Sequence, residues 1–539
     1  MRIINKTLII MFIGLLATSC NEFLEEEPLV APTEASFFDD ELNAVAAINA
    51  CYDPLTWGQS GLTLPLGFAH GYEWIVGDVL SDDAVKGSTT SDLAGITELE
   101  EWRADASNAN IATLWYNPFA GIYRTNIVIN NIEEGTIPQE LKDRLMGEAK
   151  FLRAYYYFLQ VRIFGGVPLF TTPISPDDIE AREFSRASIG EAYALINQDL
   201  KDAIELLPEK SGYLPEDIGR ATKGAARAYL ARAYMYQIGM INDHGITWDD
   251  VYEQTSSIIA SGEYGLAPNY ATIFEMEGEN GVGSIFEVQA ISIGQSGWAE
   301  GAGTIETVFQ NPFGTFGYGF NNPTQDLFDE FNEGDPRREM TLYSEGDLAH
   351  GLDIDILAGG RNATGYLHRK VILDPEFQPS NAQESPQNIR KFRYSDILLM
   401  QAEAEYYRGN EPNARSLVNE VRERARNSTY PKGYTSTNPG GYEPYPDANV
   451  PDIGSNVSGQ ALLEAIWHER RIEFGMETIR YYDLIRTGRY LSSLEETFGP
   501  EVRNNAESHS IMTGVNPVPL LPIPTVDVTA WGIEQNPGY

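Results

Sequence analysis

The segment EAKFLRAYYYFLQVRIFGGVPLF, residues 148–170, decides the fold class. Extended upstream through PQELKDRLMG (138–147), it places Leu145, Ala149, Leu152, Tyr156 and Leu159 at three- and four-residue spacings, the period of one helix face. Gly165-Gly166 then predicts a helix stop. RATKGAARAYLARAYMYQIG (220–239) repeats the idea, with Gly224, Ala225, Ala228 and Ala231 forming a small-residue face against which a second helix can approach closely. FLRAYYY (151–157) and LARAYMY (230–236) look alike, as do parts of YSDILLMQAEAEYYRG (394–409) and ARSLVNEVRERAR (414–426). Alternating small and aromatic residues in helix pairs is tetratricopeptide packing, but the spacing departs from the regular repeat of about 34 residues. A degenerate helical scaffold with insertions is the expectation.

The texture changes between residues 265 and 390, where GQSGWAEGAGT (294–304) and NPFGTFGYGFNNP (311–323) carry Gly, Asn, Pro and aromatics with no sustained helical period. Long loops in a compact protein are functional or disordered, and aromatic content argues against disorder.

At the amino terminus, Arg2 and Lys6 precede the ten-residue apolar run LIIMFIGLLA (8–17), which is shorter than the roughly 18 residues needed to span a bilayer. Residues 1–19 therefore read as a signal peptide. Ala17-Thr18-Ser19-Cys20 admits two readings: a secretory signal in which Cys20 is incidental, or a sequence that resembles the lipobox of bacterial lipoproteins, with Cys20 as the lipidated first residue of the mature chain. A typical lipobox has a branched residue where this chain has Ala17, with Leu16 adjacent. Residues 20–40, acidic and rich in turn formers, suit a lipidated tether.

The chain of 539 residues carries 78 Asp and Glu against 38 Lys and Arg, a formal charge of −40, which argues against nucleic acid and against anionic lipid as partners. The same acidity keeps a surface protein soluble. With only Cys20 and Cys51 present, and Cys20 acylated, no disulfide is expected.

Six blocks in order carry a resemblance: FLEEEP (23–28), SFFDDELNAVAAINACYDPL (36–55), LWYNPFAGIYRTNIVINNI (114–132), the 148–170 segment, IWHERRIEFGMETIRYYDLIRTGRY (466–490) and LLPIPTVDVTAWGIEQNPGY (520–539). From Cys20 to the carboxyl terminus the chain resembles the SusD/RagB family, the surface glycan-binding lipoproteins of Bacteroidota. The resemblance implies a mainly α fold, a SusD-like scaffold of four degenerate tetratricopeptide-like helix pairs plus a loop-rich mixed ligand-binding lobe. It divides the chain into an N-terminal helical region at 41–260 and a C-terminal region at 261–539 carrying the ligand-loop insertion 265–390. It further implies a lipid-anchored, surface-exposed protein of the outer membrane that captures oligosaccharides and hands them to a SusC-like TonB-dependent transporter. RagB-type relatives keep peptide capture open as an alternative, with a surface carbohydrate-active enzyme more remote. Within the 466–490 block, Glu469 and Glu473 are expected to pair with Arg470, Arg480 or Arg486 along a helix face, worth tenths of a kcal/mol per exposed pair.

Enzyme signatures are sparse. WHERRIE (467–473) lacks the second histidine of a helical zinc motif, the six histidines are scattered without ligand spacing, and no phosphate-binding loop is present. GQSGW (294–298) misses a nucleophile elbow by one position, and GDVLSDDA (77–84) lacks the spacing of a calcium loop. Carboxylate pairs are too abundant to single one out for glycoside hydrolysis. No cofactor, metal or catalytic residue is assigned.

Glycans present flat C–H patches, so a binder needs aromatic faces with a few polar side chains for the hydroxyls. Two segments offer that mixture: His70, Tyr72, Trp74, Asp78, Asp82, Asp83 and Lys86 in 68–87, and Trp298, Phe313, Phe316, Tyr318, Phe320 and Asn321 in the insertion. The candidates retained for a platform are Trp298, Phe316, Tyr318, Asn321, Tyr72, Trp74, Asp82 and Lys86. Against them stand plain structural roles, with Trp74 in a core, Asp82 and Asp83 capping a turn, and FGTFGYGF (313–320) folding its rings together. RNATGYLHRK (361–370) places Arg361, His368, Arg369 and Lys370 in one loop region able to accommodate a carboxylate or sulfate, whereas net acidity favours a neutral ligand such as a β-glucan. Two or three rings, each contributing at most roughly 2.5 kcal/mol, put the expected Kd in the micromolar to millimolar range.

Overall fold

The computed structural model describes residues 37–57, 73–174, 184–242, 244–293, 303–380, 384–514 and 516–539. Cys20, His70, Tyr72 and Trp298 lie outside the described residues. Helix α1 (Glu41–Tyr52) is capped by Asp40, which accepts from the Asn43 amide at 2.9 Å. The scaffold proper follows as α2 (Ala109–Asn131), α3 (Gln139–Phe164), α4 (Ile189–Leu206), α5 (Lys223–Met240) and α6 (Trp248–Ser261). It resumes as α7 (Tyr394–Tyr407), α8 (Glu411–Arg426) and α9 (Gln460–Phe474), followed by the short α10 (Arg480–Arg486). Each scaffold helix packs on its successor from α2 through α9. Four pairs result, α2/α3, α4/α5, α6/α7 and α8/α9, and the third is split by residues 262–393.

The sequence reasons are local. Helix α3 is buried on every side from Phe151 to Phe164, which marks it as the central element of the stack. It ends where predicted because Gly165 takes a left-handed φ of 72°, and a Cβ on Gly166 would lie 2.2 Å from the Ala187 carbonyl. Gly121 of α2 lies directly under the Tyr156 ring, so α2 and α3 approach closely there. Gly224, Ala225, Ala228 and Ala231 of α5 are all buried, as their small side chains allow. Bidentate Arg153–Asp199 contacts at 2.7 and 2.8 Å tie α3 to α4. Cys51 is a free, buried thiol.

The lobe between α6 and α7 is made of loops, short helices and two-stranded antiparallel ribbons. In chain order its strands and their partners are β1 (Ala84–Gly87), β2 (Ser284–Val288), β3 (Phe320–Pro323), β4 (Leu342–Ser344), β5 (Tyr366–His368) and β6 (Ile389–Arg393), paired β1–β3, β2–β6 and β4–β5. Strand β6 runs directly into α7, so the lobe leaves the stack at Ser261 and re-enters it at Tyr394. The main hydrophobic core includes residues of both halves, from Phe38 to Ile533, with smaller clusters beside it.

The ion pairs of 466–490 differ from the sequence expectation. Glu469, Arg470, Glu473, Arg480 and Arg486 are buried, and their partners are not one another. Glu473 receives Arg337, Arg393 and Arg424; Glu469 receives Arg337 and Arg422. Arg470 reaches Asp396 and Asp483, and Arg486 reaches Glu403 and Asp483. Apart from Asp483 of α10, these partners arrive from α7, α8 and the lobe, which periodicity within one helix cannot show.

Deleting one member of a buried pair leaves the other charge unpaired, at a cost of about 3 kcal/mol or more. Arg153→Met is therefore expected to lower the urea midpoint substantially with little change in slope. Arg503→Met, which removes an exposed pair with Glu507, is expected to cost under about 1 kcal/mol.

Candidate functional site

The two segments singled out by composition meet in the fold. Strand β1, from 68–87, pairs with β3, from the insertion, in the register Ala84↔Pro323, Val85↔Asn322 and Gly87↔Phe320. Their meeting buries most of the candidates. Trp74 is fully buried, 6.1 Å from Phe320, and heads the π-helical turn Ile75–Val79. Phe316 is 4 % exposed and belongs to the core. Asn321 is fully buried with a φ of 58°, and its amide donates to Asp78 Oδ2 at 2.9 Å and Gln310 Oε1 at 2.7 Å. Lys86 turns inward to the Thr89 and Asp92 carbonyls, both at 2.8 Å. Asp82 is held by Arg480 at 2.7 and 2.6 Å. These five side chains are buried and support the surface without presenting it, and the polar contacts they make are internal.

What reaches the surface is the loop over this foundation. Phe313 and Tyr318 are half-buried. Tyr318 stacks on Phe309 with centroids 5.2 Å apart, and the Arg361 guanidinium lies 4.3 Å from the Phe313 ring centre. Arg361 donates to Asp92 Oδ2 at 2.6 Å and Ser88 Oγ at 2.8 Å, while Ser88 Oγ donates to Asp92 Oδ2 at 2.9 Å. Arg361 and Asp92 also bear electrostatically on the Tyr318 hydroxyl, whose pKa burial raises. Two rings and an Arg–Asp–Ser set thus share one patch. Its backbone is held in unusual conformations: Ser88 (φ 53°), Leu93 (φ 45°) and Asn321 (φ 58°) are left-handed without being glycine. Each costs on the order of 1–2 kcal/mol and is kept by the surrounding contacts, a pattern that concentrates at functional sites.

Sequence reasoning missed Ser88 and Asp92, which lie in the turn-rich KGSTTSD (86–92); only their return contact with Arg361 reveals them. It also grouped Arg361 with His368, Arg369 and Lys370, which the structure separates from it. His368 is buried, with its pKa held well below the usual value by desolvation and by Lys370; Arg369 is buried between Tyr343 and Tyr434; Lys370 is paired with Glu477 at 2.7 Å. No anion pocket forms from that run. Among the described residues no three His, Cys, Asp or Glu side chains gather as a metal site, and no helix is long and apolar enough to cross a membrane.

Beneath the patch, Asp78, Asp82 and Asp83 join the loops to the scaffold. Arg471 reaches Asp83 at 2.9 Å and Asp326 at 2.5 Å, and the Thr478 amide donates to Asp78 at 2.8 Å. Gly77 is required there, since a Cβ would lie 2.3 Å from the Thr478 carbonyl oxygen. Burial raises Asp78 to about 7, against the pull of its donors Asn321 and Thr478. Burial likewise raises Asp83 to about 6, against Arg471, whereas Arg480 and Arg471 together hold Asp82 well below the usual carboxylate range despite burial.

An unfolded Asp titrates near about 3.9. Between there and pH 7 the folded chain holds a proton on Asp78 that the unfolded chain releases, so this group's contribution to stability is present in mild acid and lost as pH rises through 7. Thermal melts of Asp78→Asn at pH 5 and pH 8 are expected to show a smaller decline with pH than the wild type. A wild-type-minus-variant difference in Tm that is the same at both pH values would contradict this assignment.

Comparison with known proteins agrees with this architecture. The model of the SusD family matches residues 283–539, and that described as "Starch-binding associating with outer membrane" matches residues 69–235. A SusD-like protein of Formosa agariphila is 25% identical, with 99% of each chain covered, and one of Bacteroides ovatus is 25% identical over 90% of this chain and 83% of the relative. Among solved structures, a laminarin-binding SusD-like protein is 26% identical with a TM-score of 0.71, covering 93% of this chain and 100% of that one. Surface glycan-binding protein A from Bacteroides fluxus, at 24% identity, superposes with a TM-score of 0.70 over 93% of this chain and 100% of its own. Over residues 283–539 the chain matches the SusD family, and its helical stack and interrupting lobe share the fold of these SusD-like relatives.

Proposed function

We propose that this protein is a non-catalytic, glycan-binding lipoprotein of the outer-membrane surface that captures oligosaccharides of a neutral β-glucan on the Phe313–Tyr318–Arg361 patch and delivers them to a SusC-like TonB-dependent transporter. The observation that carries the reading is that patch: two half-buried rings for sugar C–H faces, flanked by an Arg, an Asp and a Ser for hydroxyls, on a backbone fixed by buried contacts. Tyr72 and Trp298 are proposed as further platform rings. The 26% identical relative described as laminarin-binding supports the choice of ligand class, and the outer-membrane family description supports the location. Lipidation at Cys20 provides the anchor in this reading. Transport energy comes from the partner.

Peptide capture is the second reading, and one observation favours it. A cavity of about 320 Å³ opens beside α1, lined by Asn49, Tyr52, Asp53, Glu216, Arg220 and Gln289. It is of a size to hold a few side chains and is not an aromatic platform.

Calorimetric titration of the mature chain from residue 21 with neutral and anionic polysaccharides and with mixed peptides tests both. The glycan reading expects binding to a neutral glucan that Tyr318→Ala weakens about 10-fold or more, with Arg361→Ala reducing it as well and no sugar released on prolonged incubation. Peptide binding with no glycan binding would transfer the function to the α1 cavity.

A further inference from the structure

A second aromatic surface lies outside the patch. Phe328 and Tyr366 stack with centroids 5.0 Å apart and planes 21° apart, and the Arg338 guanidinium lies 5.2 Å from the Phe328 ring centre. Arg338 donates to Glu339 Oε1 at 2.8 Å, and the Tyr445 hydroxyl donates to the same oxygen at 3.3 Å. Beyond it, Tyr430 meets Tyr445 at 4.3 Å with the rings tilted by 35°, and stacks on Tyr434 at 4.8 Å within 3° of parallel. All five rings are half-buried, and the Arg338 side chain is 24% exposed. The strip Tyr366–Phe328–Arg338–Tyr445–Tyr430–Tyr434 is therefore continuous. It is drawn from three separate parts of the chain, the 325–339 helices, β5 and the 428–450 loop.

Its construction favours sugar over protein. Rings at the core of this molecule mostly meet edge to face, as Phe151 and Tyr229 do at 88°, a packing that fills volume. In the strip, Phe328–Tyr366 and Tyr430–Tyr434 are near-parallel stacks and Tyr430–Tyr445 is tilted at 35°, with Tyr366 and Tyr445 both half-buried and keeping surface for solvent. Between the stacks stand hydroxyl-binding groups: the Arg338–Glu339 pair, and Gln325, which accepts from the Tyr366 hydroxyl at 2.7 Å. Glu339 offsets the charge of Arg338, and Asp329 is exposed close by, which disfavours a polyanion.

The strip also continues the first patch. Arg361 and Tyr366 are joined by a turn in which the Asn362 amide donates to the Tyr366 carbonyl at 3.1 Å and Ala363 N donates to Asn322 Oδ1 at 3.1 Å. Five residues of chain span at most roughly 18 Å, so one polysaccharide can reach from one to the other.

We infer that Tyr366, Phe328, Arg338 and Tyr445 form a second glycan subsite, which takes a further stretch of the same neutral chain held at Phe313–Tyr318–Arg361. The inference rests on the glycan reading above. A polymer that occupies both subsites makes its second contact intramolecularly, and therefore binds more tightly than an oligosaccharide long enough for only one.

The test is calorimetric titration of the mature chain with laminarin and with laminarihexaose. Laminarin is expected to bind ~10-fold or more tightly than the hexaose. Tyr445→Ala is expected to remove most of that advantage while leaving hexaose affinity at Tyr318 unchanged, and Tyr445→Phe, which keeps the ring and loses the Glu339 contact, to behave as wild type. In a Tyr318→Ala background, residual laminarin binding is expected to disappear on adding Tyr445→Ala. Unchanged laminarin binding in a folded Tyr445→Ala, or equal loss in Tyr445→Phe, overturns the second subsite and leaves the first intact. A wild-type chain that binds neither glucan overturns both.

Discussion

The structure depends on a set of buried ion pairs gathered at the end of α9 and the turn that follows it. Glu469 and Glu473 receive arginines from α8, β6 and the lobe; Arg471 and Arg480 receive Asp83 and Asp82 from segment 68–87; Glu477 receives Lys370 and Arg393. A buried pair is a poor source of net stability, because desolvation consumes most of the Coulombic gain. Its effect is to penalise any arrangement in which one partner is missing. Here that penalty fixes how a loop-rich lobe, with little regular structure of its own, sits on a helical stack.

Rigidity at this junction bears on binding. The rings of the patch gain their position from β1–β3, from Asn321 locked to Asp78 and Gln310, and from Asp82 locked to Arg480. A weak glycan site cannot spend much free energy ordering its own loops, since a ring stacked on sugar contributes only about 2 kcal/mol before such costs. Left-handed Ser88, Leu93 and Asn321 show that folding has already met that cost.

Helix α3, its Gly165-Gly166 stop, the small face of α5 and the interruption between the helical blocks were legible because they are written in local periodicity and composition. Composition also singled out segment 68–87 and the insertion as candidates, and in the fold they meet. Which of their residues face outward was not legible. Trp74, Phe316, Asn321, Asp82 and Lys86 have the chemistry of a sugar site but are buried, Lys86 held by local carbonyls and Asn321 and Asp82 by partners far away in the chain; Asp82 and Arg480 are 398 residues apart. Arg361 reads like its neighbours Arg369 and Lys370, yet Arg361 lies on a surface loop while the other two are buried in the helical turn Arg369–Val371 that follows β5. A single sequence contains no signal for such long-range pairing.

Hydrogen exchange of the mature chain with and without laminarin is the most direct test that glycan is held on the lobe's aromatic face. The account predicts slowed exchange in residues 88–93, 311–319 and 357–361, with α1 and residues 216–220 unaffected. Protection confined to α1 and 216–220, or none in any of these segments at saturating glucan, would contradict it.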